Sequence, residues 1–198
     1  SKLGIRGTLS TAAAALLVYG LQGSIIRLYH DEKDPARKPV VVSTGIILIG
    51  SVTALLTSGL SGFAFNHSDV GGWLSLDGDE MGAPVSIRRS KELMLRWIEL
   101  GAFQSIFRTH EGLRPFWAHQ FATDQDTLEH IARFSNVYNA WHDYRRTLVS
   151  EAAEKGWPLV RHPFLHFPKE SAFWELSYQQ YMIGQELWFA PVLDEGVD

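Results

Sequence analysis

From residue 40 to residue 66 the chain carries no charged side chain, and this apolar run then ends in a polar tip. Phe63, Ala64 and Phe65 close the run and read as a buried strand. Asn66, His67, Ser68 and Asp69 follow it, then Gly71, Gly72 and Trp73. An apolar strand that finishes in ionisable residues and a glycine turn is how a parallel barrel strand presents chemistry at its carboxyl end. Strand side chains alternate with a period of two, so His67 and Asp69 are expected on one face. The glycines permit a sharp turn and leave room for something to approach. Trp73 is expected to wall a pocket. The same residues also suit a plain strand-to-loop junction with a structural Asp cap.

The rest of the pattern repeats this theme. Residues 40–42, three valines, predict a short strand, and residues 46–57 a buried helix. The uncharged stretch is long enough to be weighed as a membrane span. Its Ser and Thr content and the breakers Gly45, Gly50, Gly59 and Gly62 favour a buried segment of a folded domain instead. Ser90 and Glu92 mark a helix start, after which Leu93, Leu95, Trp97, Leu100 and Phe103 recur at helical spacing. Gly101 inside that helix implies close packing. Ser105, Ile106 and Phe107 make a second apolar run, again ending in an ionisable tip: Arg108, Thr109, His110, Glu111, Gly112. Residues 113–123 read as an aromatic loop. Residues 124–155 predict a long helix with Leu128, Ile131, Tyr138, Trp141, Tyr144 and Leu148 along one side, a break near Ser135, and Gly156 as its C-cap. Residues 158–168 are a third strand candidate with a basic tip, residues 175–182 a short helix, and residues 187–193 a last apolar strand. Strand and helix in alternation define an α/β protein with parallel strands. Strands with polar tips fit part of a (β/α)8 barrel, although a whole barrel needs roughly 250 residues.

Composition narrows the chemistry. The 198 residues carry a net charge of −4, and 45% are hydrophobic, enough for one domain with a core. No basic stripe suggests nucleic acid. There is no cysteine, which excludes disulfides, thiolate nucleophiles and cysteine zinc sites. The eight histidines keep acid–base chemistry open, and seven tryptophans with eleven phenylalanines supply core and sugar-stacking surfaces alike. Lys2 and Arg6 ahead of the apolar residues 12–18 resemble a leader, or a buried helix. No small-x-small cleavage site follows, so the compartment stays open with the cytoplasm favoured. Neither a Walker nor a Rossmann phosphate loop is present.

Four segments carry a resemblance to a known family. They are residues 62–73, residues 96–110 (Arg-Trp-Ile-Glu-Leu-Gly-Ala-Phe to Arg-Thr-His), residues 161–169 (Arg-His-Pro to Phe-Pro-Lys), and residues 181–192 (Tyr-Met-Ile-Gly to Ala-Pro-Val). In this order the chain from residue 60 onward resembles glycoside hydrolase family 31. The wording around Asp69 and Arg108 is more like the sulfoquinovosidases than the starch-degrading α-glucosidases. The resemblance implies a partial (β/α)8 barrel in an α/β fold. Residues 62–69, 106–110 and 159–166 would be strands six to eight, and a following β-domain would begin at residue 187. The implied division is 1–59, a divergent helical and loop segment; 60–186, the barrel part; and 187–198, the start of a β-sandwich. Asp69 and Arg108 are then a pair lining a sugar site, His110 contacts a sugar hydroxyl, and Trp73 walls the pocket where relatives carry Tyr or Phe.

The resemblance also implies a departure. Retaining glycosidases use two carboxylates about 5–5.5 Å apart, and the family's nucleophile lies on a strand upstream of every matched segment. Its acid/base motif has no counterpart here, since Asp31 and Asp34 stand in a charge run at residues 30–38. The expectation is a fragment or truncated relative that contributes sugar-binding residues. A non-catalytic sugar-binding relative is the alternative. A metal hydrolase using His67, Asp69, His110 and His162 is a third reading. The expected partner is a carbohydrate, an α-glucoside or α-sulfoquinovoside, without cofactor, nucleic acid or membrane. Open barrel edges would allow association with another chain.

Overall fold

The computed structural model describes residues 38–72, 88–112, 115–176 and 180–193. The leader-like segment, the charge run with Asp31 and Asp34, and Trp73 lie outside the described residues.

Helix α1, Lys38–Leu60, is continuous over 23 residues. The strand expected at residues 40–42 is therefore the first turns of this helix. Pro39 suits a helix start, because a missing N–H costs nothing there. The β-branched valines are only mildly unfavourable, and a weak propensity yields to a long continuous element. Among the described residues no helix is long and apolar enough to cross a membrane.

Helix α2, Lys91–Ala102, begins where Ser90 accepts a hydrogen bond from the Leu93 amide at 3.1 Å, with Glu92 in the first turn. It buries Leu93, Met94, Trp97, Ile98 and Leu100. A β-carbon on Gly101 would lie 2.5 Å from Val70 Cγ2 and 3.0 Å from Phe107 Cδ2. That helical glycine is there for close approach, as its spacing suggested. Beyond the helix three aromatic side chains satisfy backbone carbonyls. Trp141 Nε1 donates to Ala102, the Tyr138 hydroxyl to Ser105 and the Tyr181 hydroxyl to Phe103, at 3.0, 2.9 and 3.3 Å.

The long helix of the sequence is two: α3, Gln125–Ala140, and α4, His142–Lys155. The break falls at Trp141, not near Ser135. Ser135 returns its hydroxyl to the Ile131 carbonyl and stays helical, whereas Trp141 leaves helical geometry as its indole reaches Ala102. Leu128, expected on the apolar side, is exposed. Gly156 ends α4 with φ 74°, donating to Ala152.

Strands β1, Val160–Arg161, β2, Tyr181–Ile183, and β3, Leu187–Phe189, form an antiparallel sheet in that order. Ile183 faces Val160 and Leu187, and Tyr181 faces Phe189. A single turn of 3-10 helix, Pro163–Leu165, follows β1, so the third strand candidate is short. The helix expected at 175–182 is instead α5, Ala172–Glu175, followed by β2. The core joins Leu48, Val52 and Leu56 of α1 to α2, Leu159, Tyr181 and Ile183.

Candidate functional site

The first two polar tips lie side by side. The Val70 amide donates to the Arg108 carbonyl at 2.8 Å, and Val70 and Thr109 form a parallel bridge. The expected strands around it are not regular. Side chains take the backbone groups a ladder would use: the Ser68 amide donates to Gln104 Oε1 at 2.7 Å, and Ser105 Oγ donates to the Asn66 carbonyl at 2.5 Å. Ser68 Oγ in turn accepts from Trp97 Nε1 at 2.8 Å and Gln104 Nε2 at 3.0 Å. Phe63 and Phe65, expected inside, are 62% and 49% exposed, while Ala64 between them packs on the core.

At the bridge Asp69 and Arg108 meet. Arg108 Nε and Nη2 both reach Asp69 Oδ1 at 2.7 Å. The carboxylate is sheltered, at 15% exposure, and the guanidinium open, at 57%. An exposed ion pair of this kind stabilises a fold by about 0.2–1 kcal/mol. Stability is a weak reason for it; a fixed pair of hydrogen-bonding groups facing solvent is a better one. His67 Nδ1 lies 3.7 Å from the same Oδ1 and is buried with no hydrogen-bond partner among the described residues. The expected shared face of His67 and Asp69 is realised. His110, two residues beyond Arg108, is exposed, and its Nδ1 accepts from the Gly112 amide at 3.0 Å. An accepting Nδ1 leaves the ring proton on Nε2, free to donate outward.

Sequence reasoning missed Arg89. It is 4% exposed and sits behind both tips, its guanidinium donating to the carbonyls of Gly71, His110 and His119 and to Gln120 Oε1. Burial lowers its pKa from the usual arginine value. A signal was present: two arginines directly before the N-cap Ser90 oppose the positive end of a helix dipole, which invites a specific reason for one of them. Arg88 is exposed and lies over the Trp117 ring.

The third tip is differently used. His162 is buried, with Nε2 donating to the Leu176 carbonyl at 2.8 Å and Nδ1 accepting from the Phe164 amide at 3.3 Å. Burial lowers its pKa. Both ring nitrogens are committed. Among the described residues no group of three or more His, Asp or Glu side chains could hold a metal ion. The structure thus does not assemble His67, Asp69, His110 and His162 into the metal site considered above.

Comparisons with known proteins identify the class of fold to which these paired tips belong. Residues 46–149 match the model of the glycosyl hydrolases family 31 TIM-barrel domain. The chain belongs to glycoside hydrolase family 31. It is 37% identical over 149 residues to the sulfoquinovosidase of Escherichia coli, covering 75% of this chain and 21% of that protein. The sulfoquinovosidase of Agrobacterium fabrum is 38% identical over 149 residues, with the same coverage, 75% and 21%. Among solved structures, a family 31 sulfoquinovosidase from E. rectale in complex with the aza-sugar inhibitor IFGSQ is similar at a TM-score of 0.67 and 34% identity, covering 78% of this chain and 21% of that one. The chain spans about a fifth of the length of these relatives.

Proposed function

We propose that this chain supplies sugar-binding residues of a family 31 α-glycosidase barrel, with an α-sulfoquinovoside favoured over an α-glucoside as the ligand. The observation that carries the reading is the pairing of Arg108 with Asp69 at the Val70–Thr109 bridge, where Nε donates a hydrogen bond to Oδ1 and Nη2 makes an ion pair with the same oxygen. Asp69 would accept from sugar hydroxyls, and Arg108 and the Nε2–H of His110 would donate to them. Trp73 would wall the pocket. The segments 62–69, 106–110 and 159–166 would be barrel strands six to eight, residues 60–186 would be the barrel part together with the stretch of α1 that the family match covers from residue 46, and a β-sandwich would start at 187. The identities of 37% and 38% to sulfoquinovosidases, against 27% to an α-glucosidase of Bacillus thermoamyloliquefaciens, favour the sulfonated sugar.

The 198-residue chain by itself is proposed to bind sugar without hydrolysing it. Hydrolysis with retention takes a nucleophile and an acid/base, and general acid catalysis alone contributes about 10²–10⁴-fold. Neither family carboxylate is expected in this chain: by the resemblance the nucleophile would lie upstream of every matched segment, and residues 30–42 carry no counterpart of the acid/base motif. Saturation-transfer NMR of the purified chain with aryl α-sulfoquinovoside and aryl α-glucoside is expected to show transfer to the sugar protons, stronger for the former. No release of the aryl alcohol above background is expected. Transfer to neither glycoside would overturn the binding reading. Turnover that disappears in Asp69→Asn would overturn the non-hydrolytic one.

A further inference from the structure

We propose that Arg89 is the positioning residue of this site: its buried guanidinium sets the distance between the tip carrying Asp69 and the tip carrying Arg108 and His110. The proposal rests on the reading of those residues as sugar-binding groups.

The bonds are distributed in a telling way. Nη1 donates to Gly71 at 2.9 Å and Gly72 at 3.4 Å, the two residues closing the first tip, and to His110 at 3.1 Å on the second. Nη2 donates to Glu111 at 3.4 Å, also on the second tip, and to Gln120 Oε1 at 2.6 Å. Nε donates to His119 at 2.5 Å. Gln120 extends the clamp, its Nε2 donating to the Glu111 carbonyl at 2.8 Å and the Pro115 carbonyl at 3.0 Å. One rigid planar fork thus ties the backbone two residues after Asp69 to the backbone two residues after Arg108. A lysine offers a single point charge and cannot span three loops at once.

The surroundings are shaped for this group. A β-carbon at Gly71 would lie 2.5 Å from Nη1 and 2.7 Å from Cδ of Arg89, on a backbone with φ of +85°. Among the described residues every acceptor bound to Arg89 is neutral, five carbonyls and one amide oxygen, and burial is the cause of its lowered pKa. An ion pair would have stabilised the cation locally. Neutral carbonyls instead make its strength depend on where the backbones are, which is what a positioning role requires. The exposed Asp69–Arg108 pair is too weak to hold the tips by itself.

The test uses the isotopically labelled 198-residue chain with Arg89→Met and Arg89→Lys. Amide hydrogen exchange is read at Val70 and Gly72, which bond Arg108 and Asp69, and at Gly156 and Gly184, which bond Ala152 and Leu159 far from the clamp. The Arg108 Nε–H signal reports the contact with Asp69, and titration with an aryl α-sulfoquinovoside reports the site. In Arg89→Met, exchange at Val70 and Gly72 rises at least tenfold, Gly156 and Gly184 keep their rates, and the Arg108 signal shifts. Sugar affinity falls at least tenfold. Arg89→Lys restores less than half of each change, and carries the comparison if the methionine variant does not fold. Unchanged exchange at Val70 and Gly72, or equal acceleration at all four amides, overturns the proposal. A local loss in a chain whose wild type binds no sugar supports the clamp and removes the sugar reading alone.

Discussion

Two buried arginines divide the molecule. Arg89 and Arg161 are 4% and 1% exposed, yet one is bound by carbonyls and the other by a carboxylate. Arg161 donates through Nη2 to Glu151, through Nε to the Pro158 carbonyl at 2.7 Å, and through Nη1 to His166 Nε2 at 3.2 Å, with its guanidinium over the Trp157 ring. Its partners lie within ten residues of it, on α4 and the turns flanking β1. Arg89 reaches residues 17 to 31 positions away, on three loops. The local, charge-paired arginine holds an element junction together. The distributed one, with no carboxylate partner among the described residues, holds a site. Burial alone does not distinguish the two; the partners do.

The largest effect separating them should come from Arg161→Met. The substitution leaves Glu151, partly exposed, with Lys155 alone at 3.5 Å; breaking a fully buried pair costs about 3–5 kcal/mol, so the low end of that range applies here. Urea unfolding should lose about 3 kcal/mol in this variant, and the double variant Arg161→Met/Glu151→Leu should recover most of it. If the double variant is as unstable as the single one, pairing is not what Arg161 contributes. Gly71→Ala attacks the other arginine. The new methyl group would overlap Arg89 Nη1 at 2.5 Å and sit at a φ of +85°. Overpacking and strain of that order cost about 1–3 kcal/mol. We expect about 2 kcal/mol by urea unfolding, together with loss of sugar binding. Gly156→Ala, whose added methyl would meet open space, should lose stability without losing the sugar.

Acid sharpens the comparison with smaller effects. Burial first, and Arg161 second, lower the pKa of His166. The unfolded chain therefore takes up that proton before the folded one does. Stability from this group is fully present above the ordinary histidine value of about 6.5 and falls as pH drops toward the folded pKa. The urea midpoint should be lower at pH 5.5 than at pH 7.5, and His166→Gln should shrink that difference. His119, His130 and His162, whose pKa values burial also lowers, keep part of it. An identical difference in the variant would show that His166 stays neutral for another reason. The smallest effect concerns the cap of α3. The Thr127 amide, with Lys91 beside it, holds the Asp124 carboxyl down at about 2. Its contribution is present above the ordinary Asp value of about 3.9 and is lost as pH falls through about 2. Asp124→Asn should lower thermal stability between pH 5 and 7, where the carboxylate contributes, and should flatten its fall across the acid window, because the amide does not ionise.

What the sequence disclosed follows the same division. Local signals were legible: Ser90 as an N-cap, Gly156 as a C-cap, Gly101 as a close approach, and His67 and Asp69 on one face. The meeting of Asp69 with Arg108 was legible because two tips of one kind stood in successive segments. Three valines misled at residues 40–42, since β-branching is a preference that a continuous helix overrides. The runs at 62–69 and 106–110 looked like full strands because apolar residues do not reveal that Ser68, Gln104 and Ser105 will spend the backbone groups. The junction of α3 and α4 was misplaced because only the fold brings Trp141 to Ala102. Arg89 was illegible as a buried group for one reason. A charged residue reads as solvated unless its partners are near in sequence, and the partners of Arg89 are not.

The central claim is that Asp69 and Arg108 form a sugar-binding pair. Calorimetric titration of the purified chain with methyl α-sulfoquinovoside tests it most directly, across wild type, Asp69→Asn, Arg108→Gln and the double variant. A hydrogen bond to a charged group contributes about 1.5–3 kcal/mol, so each single variant should bind about 10- to 100-fold more weakly. The double variant should bind no more weakly than the worse single one, and Arg88→Ala should bind as wild type. Equal affinity of wild type and Asp69→Asn, or an Arg88→Ala loss as large as that of Arg108→Gln, would contradict it.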